Sequence, residues 1–236
     1  MIKSSKESFI HKLFDTITPG YDCFNRIASL GLDRGWRRRT IESLNLQPGM
    51  RVLDLAAGTG DLAAESVLRM LPLGTVVACD LSHPMLRSAA RKWACHPTAG
   101  WHLKYAQGKA EQLPFPPESF SAATIGFALR NVSDLGGTFR ELHRTLRPGG
   151  WVALLEFGRP RNPLLRAGHW LWLTAVLPPL GLLTTGRIWP FFYLRRSILG
   201  FLSPEEVVRL LRSAGFSEAQ ALPLSGGIVT LYQARR

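Results

Sequence analysis

A glycine-rich loop and two aspartates form the group of residues in this chain with the clearest chemical meaning. The apolar run Arg51–Leu55 contains Asp54 and leads into a Gly-Thr-Gly loop, which a helical pattern follows. Asp80 ends the next apolar run, about 20 residues later, where a carboxylate can accept two ribose hydroxyls. Glycine lets the backbone approach a ligand, and the helix N-terminus offers free N–H groups. The pattern predicts a nucleoside site formed by Asp54, Gly58, Thr59, Gly60 and Asp80.

The loop is incomplete as a dinucleotide fingerprint. Ala56 and Ala57 stand where a G-x-G-x-x-G motif would have further glycines. An acidic first strand with a shortened glycine loop suits a cofactor that carries a carboxylate and an ammonium group but no pyrophosphate. S-adenosylmethionine is such a cofactor. A nicotinamide dinucleotide is the alternative, and a tight turn without a ligand is the simplest interpretation of the glycines alone.

The elements around the loop predict an α/β fold. Helical patterns follow Pro84, run from Asp134 to Arg147 with a Pro-Gly-Gly stop, and begin again at Ser203-Pro204. Strands that alternate with helices indicate parallel β-α units, with helices on both faces of one sheet and the ligand at the carboxyl ends of the strands. The predicted strands are Arg51–Leu55, Thr75–Leu81, His102–Gln107, Ser121–Phe127 and Trp151–Phe157.

Positive charge is concentrated in one part of the chain. Lys and Arg number 29 against 17 Asp and Glu, a net charge of +12, which favours nucleic acid, an anionic membrane or an acidic ligand as a partner. The stretch Phe157–Pro204 has no carboxylate but contains six arginines and three of the seven tryptophans. A second cluster, Arg34–Arg39, taken alone predicts a solvated helix face.

The uncharged segment Ala167–Gly186 has only just the length of a membrane span. Pro178 and Pro179 interrupt it, and an internal proline costs a helix about 3 kcal/mol, so we do not expect a span. Trp and Arg beside apolar residues are typical of a segment in the lipid headgroup region. A hydrophobic lid on the domain core is the alternative, and the two are compatible.

Cysteine usage and the N-terminus indicate the compartment. The three cysteines, Cys23, Cys79 and Cys95, form no C-x-x-C pair, so we expect neither a disulfide framework nor a metal site. No apolar run follows the first residues, so no secretory signal is expected. These features predict a cytoplasmic protein.

Longer motifs resemble the ubiquinone/menaquinone biosynthesis C-methyltransferases. The resemblance covers about Phe14 to Tyr232, and Phe127–Asn131 is its most family-specific part. It implies one Rossmann-like class I S-adenosylmethionine-dependent methyltransferase domain over 1–236, with a helical cap at about 1–47 and a substrate- or membrane-facing insertion at about 158–203. The motifs are LDLAAGTGD (Leu53–Asp61), GKAEQLPFPPESF (Gly108–Phe120), IGFALRNVSD (Ile125–Asp134), LRPGGWVALLEF (Leu146–Phe157) and GGIVTLY (Gly226–Tyr232).

The resemblance implies cofactor contacts from Thr59, Asp80, the pair Lys109-Ala110 and Gly126. The family usually has Asp or Asn where Lys109 stands, a side chain that can accept a hydrogen bond from the adenine amine. Lysine has only donors. We therefore expect the Ala110 N–H to be the more important of the two contacts.

The implied reaction is methyl transfer to a ring carbon of a prenylated quinol. Arg130 would stabilise the developing phenolate or polarise a water that Asn131 orients. The alternative for Arg130 is a structural ion pair with a carboxylate such as Asp134. Substrate contacts of second rank are Tyr21, Asp22 and Asn25, and His169 is the histidine to test as a proton acceptor.

The expected partners follow from this reaction. They are the prenylated quinol itself and the anionic surface of the inner membrane, which the protein would meet peripherally. We expect no nucleic acid, because the positive charge coincides with apolar sequence. The oligomeric state stays open, with a homodimer as one option. The competing functions are an RNA or other small-molecule methyltransferase and a non-catalytic cofactor-binding partner in a membrane-associated complex.

Overall fold

A seven-stranded sheet with the order β3-β2-β1-β4-β5-β7-β6 forms the centre of the molecule. The computed structural model describes residues 2–18, 20–97 and 99–236. Neighbouring strands from β3 to β5 are parallel, whereas β7 is antiparallel to both β5 and β6. The strands are β1 (Arg51–Leu55), β2 (Thr75–Asp80), β3 (Leu103–Gln107), β4 (Phe120–Gly126), β5 (Leu146–Phe157), β6 (Ser217–Leu224) and β7 (Val229–Arg235).

Helices connect the strands and precede the sheet. Three come before β1, one or two lie between β1 and β2, β2 and β3, and β4 and β5, and the others lie between β5 and β6. They are α1 (Ile2–Ile17), α2 (Tyr21–Ala28), α3 (Leu32–Glu42), α4 (Asp61–Met70), α5 (His83–Ala94), α6 (Ala99–His102), α7 (Leu135–Thr145), α8 (Pro163–Leu171), α9 (Leu177–Thr185), α10 (Trp189–Leu199) and α11 (Pro204–Ser213).

Both faces of the sheet are buried, which confirms the predicted layers. On β1, Leu53 and Leu55 join one apolar cluster with α7 and α11, whereas Val52 joins another with α3 and α4. Successive residues of a strand point to opposite faces, so a strand covered on both sides is apolar throughout. The continuous apolar runs of the sequence therefore predicted the central strands.

Helix starts match the capping signals in the sequence. Ser82 Oγ accepts the Met85 N–H at the start of α5, and Ser203 and Glu206 form a capping box at α11. The helix predicted to reach Arg147 ends at Thr145, and β5 begins directly afterwards. The predicted end was wrong because the Pro-Gly-Gly segment lies within β5, beside a register shift against β4.

The helices α1–α3 and α8–α10 come together beyond the carboxyl ends of β4 and β5. A separate apolar cluster joins α2, α9 and α10, and the rings of Phe24 on α2 and Phe191 on α10 lie 4.3 Å apart. A π-helical turn, Trp172–Val176, separates α8 from α9. Among the described residues, the structure has no helix with the length and apolar character needed to cross a membrane.

Candidate active site

Asp80 is fixed at the carboxyl end of β2 by two backbone groups. The Gly58 N–H donates to Oδ2 and the Ser82 N–H donates to Oδ1, each at 2.8 Å. Gly58 has a φ of +55°, and the space where a side chain would begin is open to 4 Å. A ligand can therefore come close to this backbone. The Asp80 carboxylate can accept hydrogen bonds from the hydroxyl groups of such a ligand.

Five of the predicted cofactor residues line one narrow cleft of about 130 Å³ at this edge of the sheet. The carboxyl ends of β1, β2 and β4, the loops that follow β1 to β4, and α1 form the walls. The fixed acid and the open backbone at Gly58 fit the predicted nucleoside. These residues are Gly58, Asp80, Lys109, Ala110 and Gly126.

Asp54, Thr59 and Gly60 do not line the cleft but hold the loop beside it. Thr59 Oγ donates to Asp22 Oδ1 at 2.6 Å, and the Gly60 Cα lies against the Trp93 ring, which a side chain would contact at 3.2 Å. Asp54 is buried, and Thr124 Oγ donates to its Oδ1 at 2.7 Å. Burial raises the pKa of Asp54 to about 7, with the Asp80 charge adding to the shift.

Ser133 is a cleft residue that the sequence analysis missed. It lines the cleft with Lys109, and its buried Oγ has no hydrogen-bond partner among the described residues. Glu111 fixes this turn by accepting the Ser133 N–H at 3.2 Å. A hydroxyl can accept as well as donate, which is the capacity that Lys109 lacks.

A second, larger cavity of about 750 Å³ lies between the helices and the ends of β4 and β5. Its lining is mostly apolar, contributed by α2 and α3 on one side and by α8–α10 on the other. Phe14, Tyr21, Phe127 and Asn131 line both this cavity and the cleft. The two spaces therefore meet at these four side chains.

Arg130 and Asn131 line the large cavity, and Asn131 also lines the cleft. The Arg130 guanidinium donates to Glu156 Oε1 at 2.7 Å, and Tyr193 OH donates to Asn131 Oδ1 at 3.1 Å. The buried Arg130 Nε and Asn131 Nδ2 have no hydrogen-bond partner among the described residues. Two donors at the junction are thus available to a ligand oxygen.

Arg130 does form an ion pair, the alternative that the sequence left open, but its partner is Glu156 and not Asp134. Asp134 instead caps α7 by accepting the Gly137 N–H at 2.9 Å. Glu156 lies on β5, which is the neighbour of β4, and the two strands place it directly beneath the loop that carries Arg130. This adjacency depends on sheet order, which short-range sequence patterns do not report.

A second buried ion pair, Arg37 with Asp33, also lines the large cavity. Ser29 Oγ donates to Asp33 at 3.0 Å, and Trp36 is buried with its Nε1 donating to Ser225 Oγ at 2.8 Å. The prediction of a solvated face for residues 34–39 was therefore wrong for Trp36 and Arg37. The Asp33–Arg37 spacing of one helical turn was the signal available in the sequence.

The predicted substrate residues separate into two groups. Tyr21, Asn25 and His169 line the large cavity, whereas Asp22 lies outside both spaces and binds Thr59 and Lys92, the latter at 2.7 Å. Burial raises the pKa of Tyr21 and lowers the pKa of His169. Burial therefore favours the neutral form of the His169 imidazole over the charged form.

Known proteins share this architecture. A methyltransferase from Aquifex aeolicus described as S-adenosylmethionine-dependent superposes with a TM-score of 0.62 at 16% identity, covering 84% of this chain and 88% of that one. A methyltransferase from Bacillus halodurans superposes with a TM-score of 0.58 at 18% identity, covering 84% and 97%. At these identities the likeness shows that the chain shares the fold of these proteins.

Sequence comparison gives the family. The profile of the ubiE/COQ5 methyltransferase family matches residues 2–236, so the chain belongs to that family. A demethylmenaquinone methyltransferase from Roseiflexus castenholzii is 40% identical over 214 residues, covering 90% of this chain and 87% of the relative. A ubiquinone/menaquinone biosynthesis C-methyltransferase from Hahella chejuensis is 35% identical over 229 residues, covering 97% and 92%.

Proposed function

We propose that the protein methylates a ring carbon of demethylmenaquinol, with S-adenosylmethionine as the methyl donor. The relatives named above act in quinone biosynthesis, and the more similar of the two is named for demethylmenaquinone. The observation that carries the proposal is that the cleft containing Asp80 meets a large apolar cavity at Asn131, next to Arg130. Such a junction suits a polar nucleoside on one side and a prenylated ring on the other.

Cofactor binding rests on the cleft. Asp80 would accept the ribose hydroxyls, the open backbone at Gly58 would allow close approach, and Ala110 and Gly126 would border the nucleoside. The cofactor supplies an electrophilic methyl group and no metal is part of the proposal. Ser133 Oγ would take the hydrogen bond that Lys109 cannot accept.

Ring chemistry rests on the donors at the junction. A ring carbon next to a phenolic oxygen becomes nucleophilic as that oxygen loses its proton. Arg130 Nε and Asn131 Nδ2 would hold this oxygen and stabilise its negative charge, so that the carbon is kept about 3–3.5 Å from the methyl group. His169, in its neutral form, would receive the proton. Tyr21 and Asn25 also line the cavity and would receive the proton or orient the ring.

Substrate access requires contact with a membrane. A prenyl tail is nearly insoluble in water, and arginine is attracted to anionic headgroups by about 1 kcal/mol each. We propose peripheral association with the cytoplasmic side of the inner membrane. Residues 1–47 and 158–203 would act as the cap and the membrane-facing insertion of a single domain, because helices from both enclose the large cavity.

A labelled-methyl assay tests the function. The purified protein should transfer the methyl group to a short-chain demethylmenaquinol, and a demethylated benzoquinol in parallel defines the preferred nucleus. Absence of transfer to either quinol, with transfer to RNA, would replace the proposal by an RNA methyltransferase. Absence of transfer to all three, with the cofactor bound, would favour a non-catalytic partner. Sedimentation with nuclease-treated protein then distinguishes a monomer from a homodimer.

A further inference from the structure

Helix α8 is an apolar helix with an uncovered surface. None of its nine residues, all of which the structure describes, is buried. A short helix on a folded protein normally buries an apolar stripe, because packing supplies most of its stability. An apolar partner is therefore missing from this face. Its large apolar side chains are exposed, namely Leu164, Leu165, Trp170 and Leu171.

The turn between α2 and α3 also has an exposed apolar side chain, and the backbone of that residue has an unusual conformation. Leu30 has a φ of +53°, in the left-handed region, and is 71% exposed. Glycine or asparagine would adopt this backbone with less strain than leucine. The neighbouring Leu32 is also exposed. The turn thus presents two leucines to the outside at a position where folding alone favours a small or polar residue.

These two features border the same opening. Leu30, Leu32, Leu164 and Leu165 are exposed and at the same time line the large cavity. The chain segment after α8 is joined to the end of α2 by Trp172, whose Nε1 donates to the Ala28 carbonyl at 3.2 Å. The leucines of both segments therefore border the cavity where it meets the outside, and we call these four residues the leucine rim.

Charge around the rim selects the partner. Arg34 follows the turn and Arg166 lies on α8, and both are exposed. The stretch Phe157–Pro204 adds five further arginines without a single carboxylate. An apolar rim bordered by arginine complements an anionic bilayer, in which leucine enters the acyl boundary and arginine contacts the headgroups.

We infer that the leucine rim inserts into an anionic bilayer and opens the large cavity directly to the membrane, so that a prenyl tail enters sideways from the lipid. This inference rests on the proposed function, because it assigns the cavity to a prenylated substrate. It goes further in naming the entrance and the residues that form it.

The test uses Leu30→Asn in the full-length protein. Asparagine tolerates the left-handed turn, so the variant should unfold at the same or a higher temperature than the wild type. Its binding to vesicles of phosphatidylglycerol and phosphatidylcholine should weaken about tenfold, since one inserted leucine is lost. Methylation of a long-chain quinol in those vesicles should fall in parallel, and by a larger factor than methylation of a short-chain quinol in solution.

The matched control is Leu73→Asn, which removes a leucine that is 63% exposed. Leu73 precedes β2 and so lies at the amino end of this strand, whereas the cavity lies beyond the carboxyl ends of the strands. It should leave vesicle binding unchanged. Equal vesicle binding by wild type and Leu30→Asn would overturn the inference, as would a dimer in the wild type that Leu30→Asn dissociates. Failure of the proposed function is distinguishable, because the wild type would then methylate no quinol while the vesicle measurement still reports on the rim.

Discussion

Glu156 and Arg130 are joined through both carboxylate oxygens. Oε1 accepts the Arg130 guanidinium at 2.7 Å, and Oε2 accepts the backbone N–H of the same residue at 3.1 Å. Glu156 is fully buried, so these donors take the place of water around its carboxylate. The pair fixes the arginine at both its main chain and its side chain. A rigid donor of this kind is what stabilisation of a developing phenolate requires.

Arg130→Ala should abolish most methylation while cofactor binding is largely kept. Loss of a charged donor at the developing oxyanion is expected to lower kcat by about 10²–10³-fold. Turnover measured with the short-chain quinol checks the first part, and calorimetry with the cofactor checks the second. Near-normal turnover would remove Arg130 from the site.

The same substitution has a cost in stability that needs its own control. It leaves the buried Glu156 carboxylate without its guanidinium partner. The loss of that partner should lower the free energy of unfolding by about 3–5 kcal/mol. The double variant Arg130→Ala, Glu156→Gln removes the unpaired charge and should recover part of this loss. Recovery of stability without recovery of activity would separate the two roles of Arg130.

Asp80→Ala should weaken cofactor binding by about 100-fold. The variant loses a charged acceptor of the ribose hydroxyls and also the group that fixes the Gly58 and Ser82 amides, together about 3 kcal/mol. Calorimetry measures the affinity directly. Asp61→Asn is the control, because Asp61 binds Lys92 near the loop but does not line the cleft. Unchanged affinity in Asp80→Ala would contradict the ribose assignment.

Asp54→Asn should make stability less dependent on pH. The pKa of Asp54 is about 7 in the folded protein, whereas an unperturbed aspartate, as in the unfolded chain, has a pKa of 3.8. The stability that Asp54 contributes is therefore fully present below pH ~4. It is lost as pH rises towards 7, by about 4 kcal/mol. Denaturant unfolding between pH 4 and 8 should therefore show the Asn variant gaining on the wild type as pH rises. A constant difference over this range would show that the pKa is not raised.

Tyr193→Phe should lower kcat by about fivefold with little change in cofactor affinity. The hydroxyl of Tyr193 orients the Asn131 amide through the bond to Oδ1, and a buried hydrogen bond is worth about 1 kcal/mol. Steady-state kinetics with both substrates varied gives the required split between kcat and KM. An effect confined to KM would assign Tyr193 to the wall of the cavity alone.

The cofactor half of the site could be predicted from the sequence because its signals are local. Gly58, Asp80 and Gly126 each lie at the end of an apolar run, and parallel strands bring such ends to one edge of a sheet. The same reasoning gave the helix starts at Ser82 and Ser203. Spacing alone does not separate a residue that contacts the ligand from one that holds the loop. The sequence therefore also predicts ligand contacts for Asp54, Thr59 and Gly60, which lie outside the cleft.

The substrate half could not be built in the same way, because its walls come from distant parts of the chain. Glu156 reaches Arg130 across two neighbouring strands, and Tyr193 reaches Asn131 from α10, which is 62 residues away in sequence. Strand β6 was also missed, since it lies at the sheet edge and only some of its residues are buried. Periodicity reports burial of a segment but not which segment covers it.

The attachment of α1 has a consequence for traffic through the cleft. Ser82 Oγ donates to Asp15 on α1 at 2.7 Å, and the N–H of the same serine donates to the acid at the end of β2. One serine therefore couples the first helix of the chain to the group proposed to hold the ribose. A change in the position of that acid on nucleoside binding would therefore reach α1 through this serine.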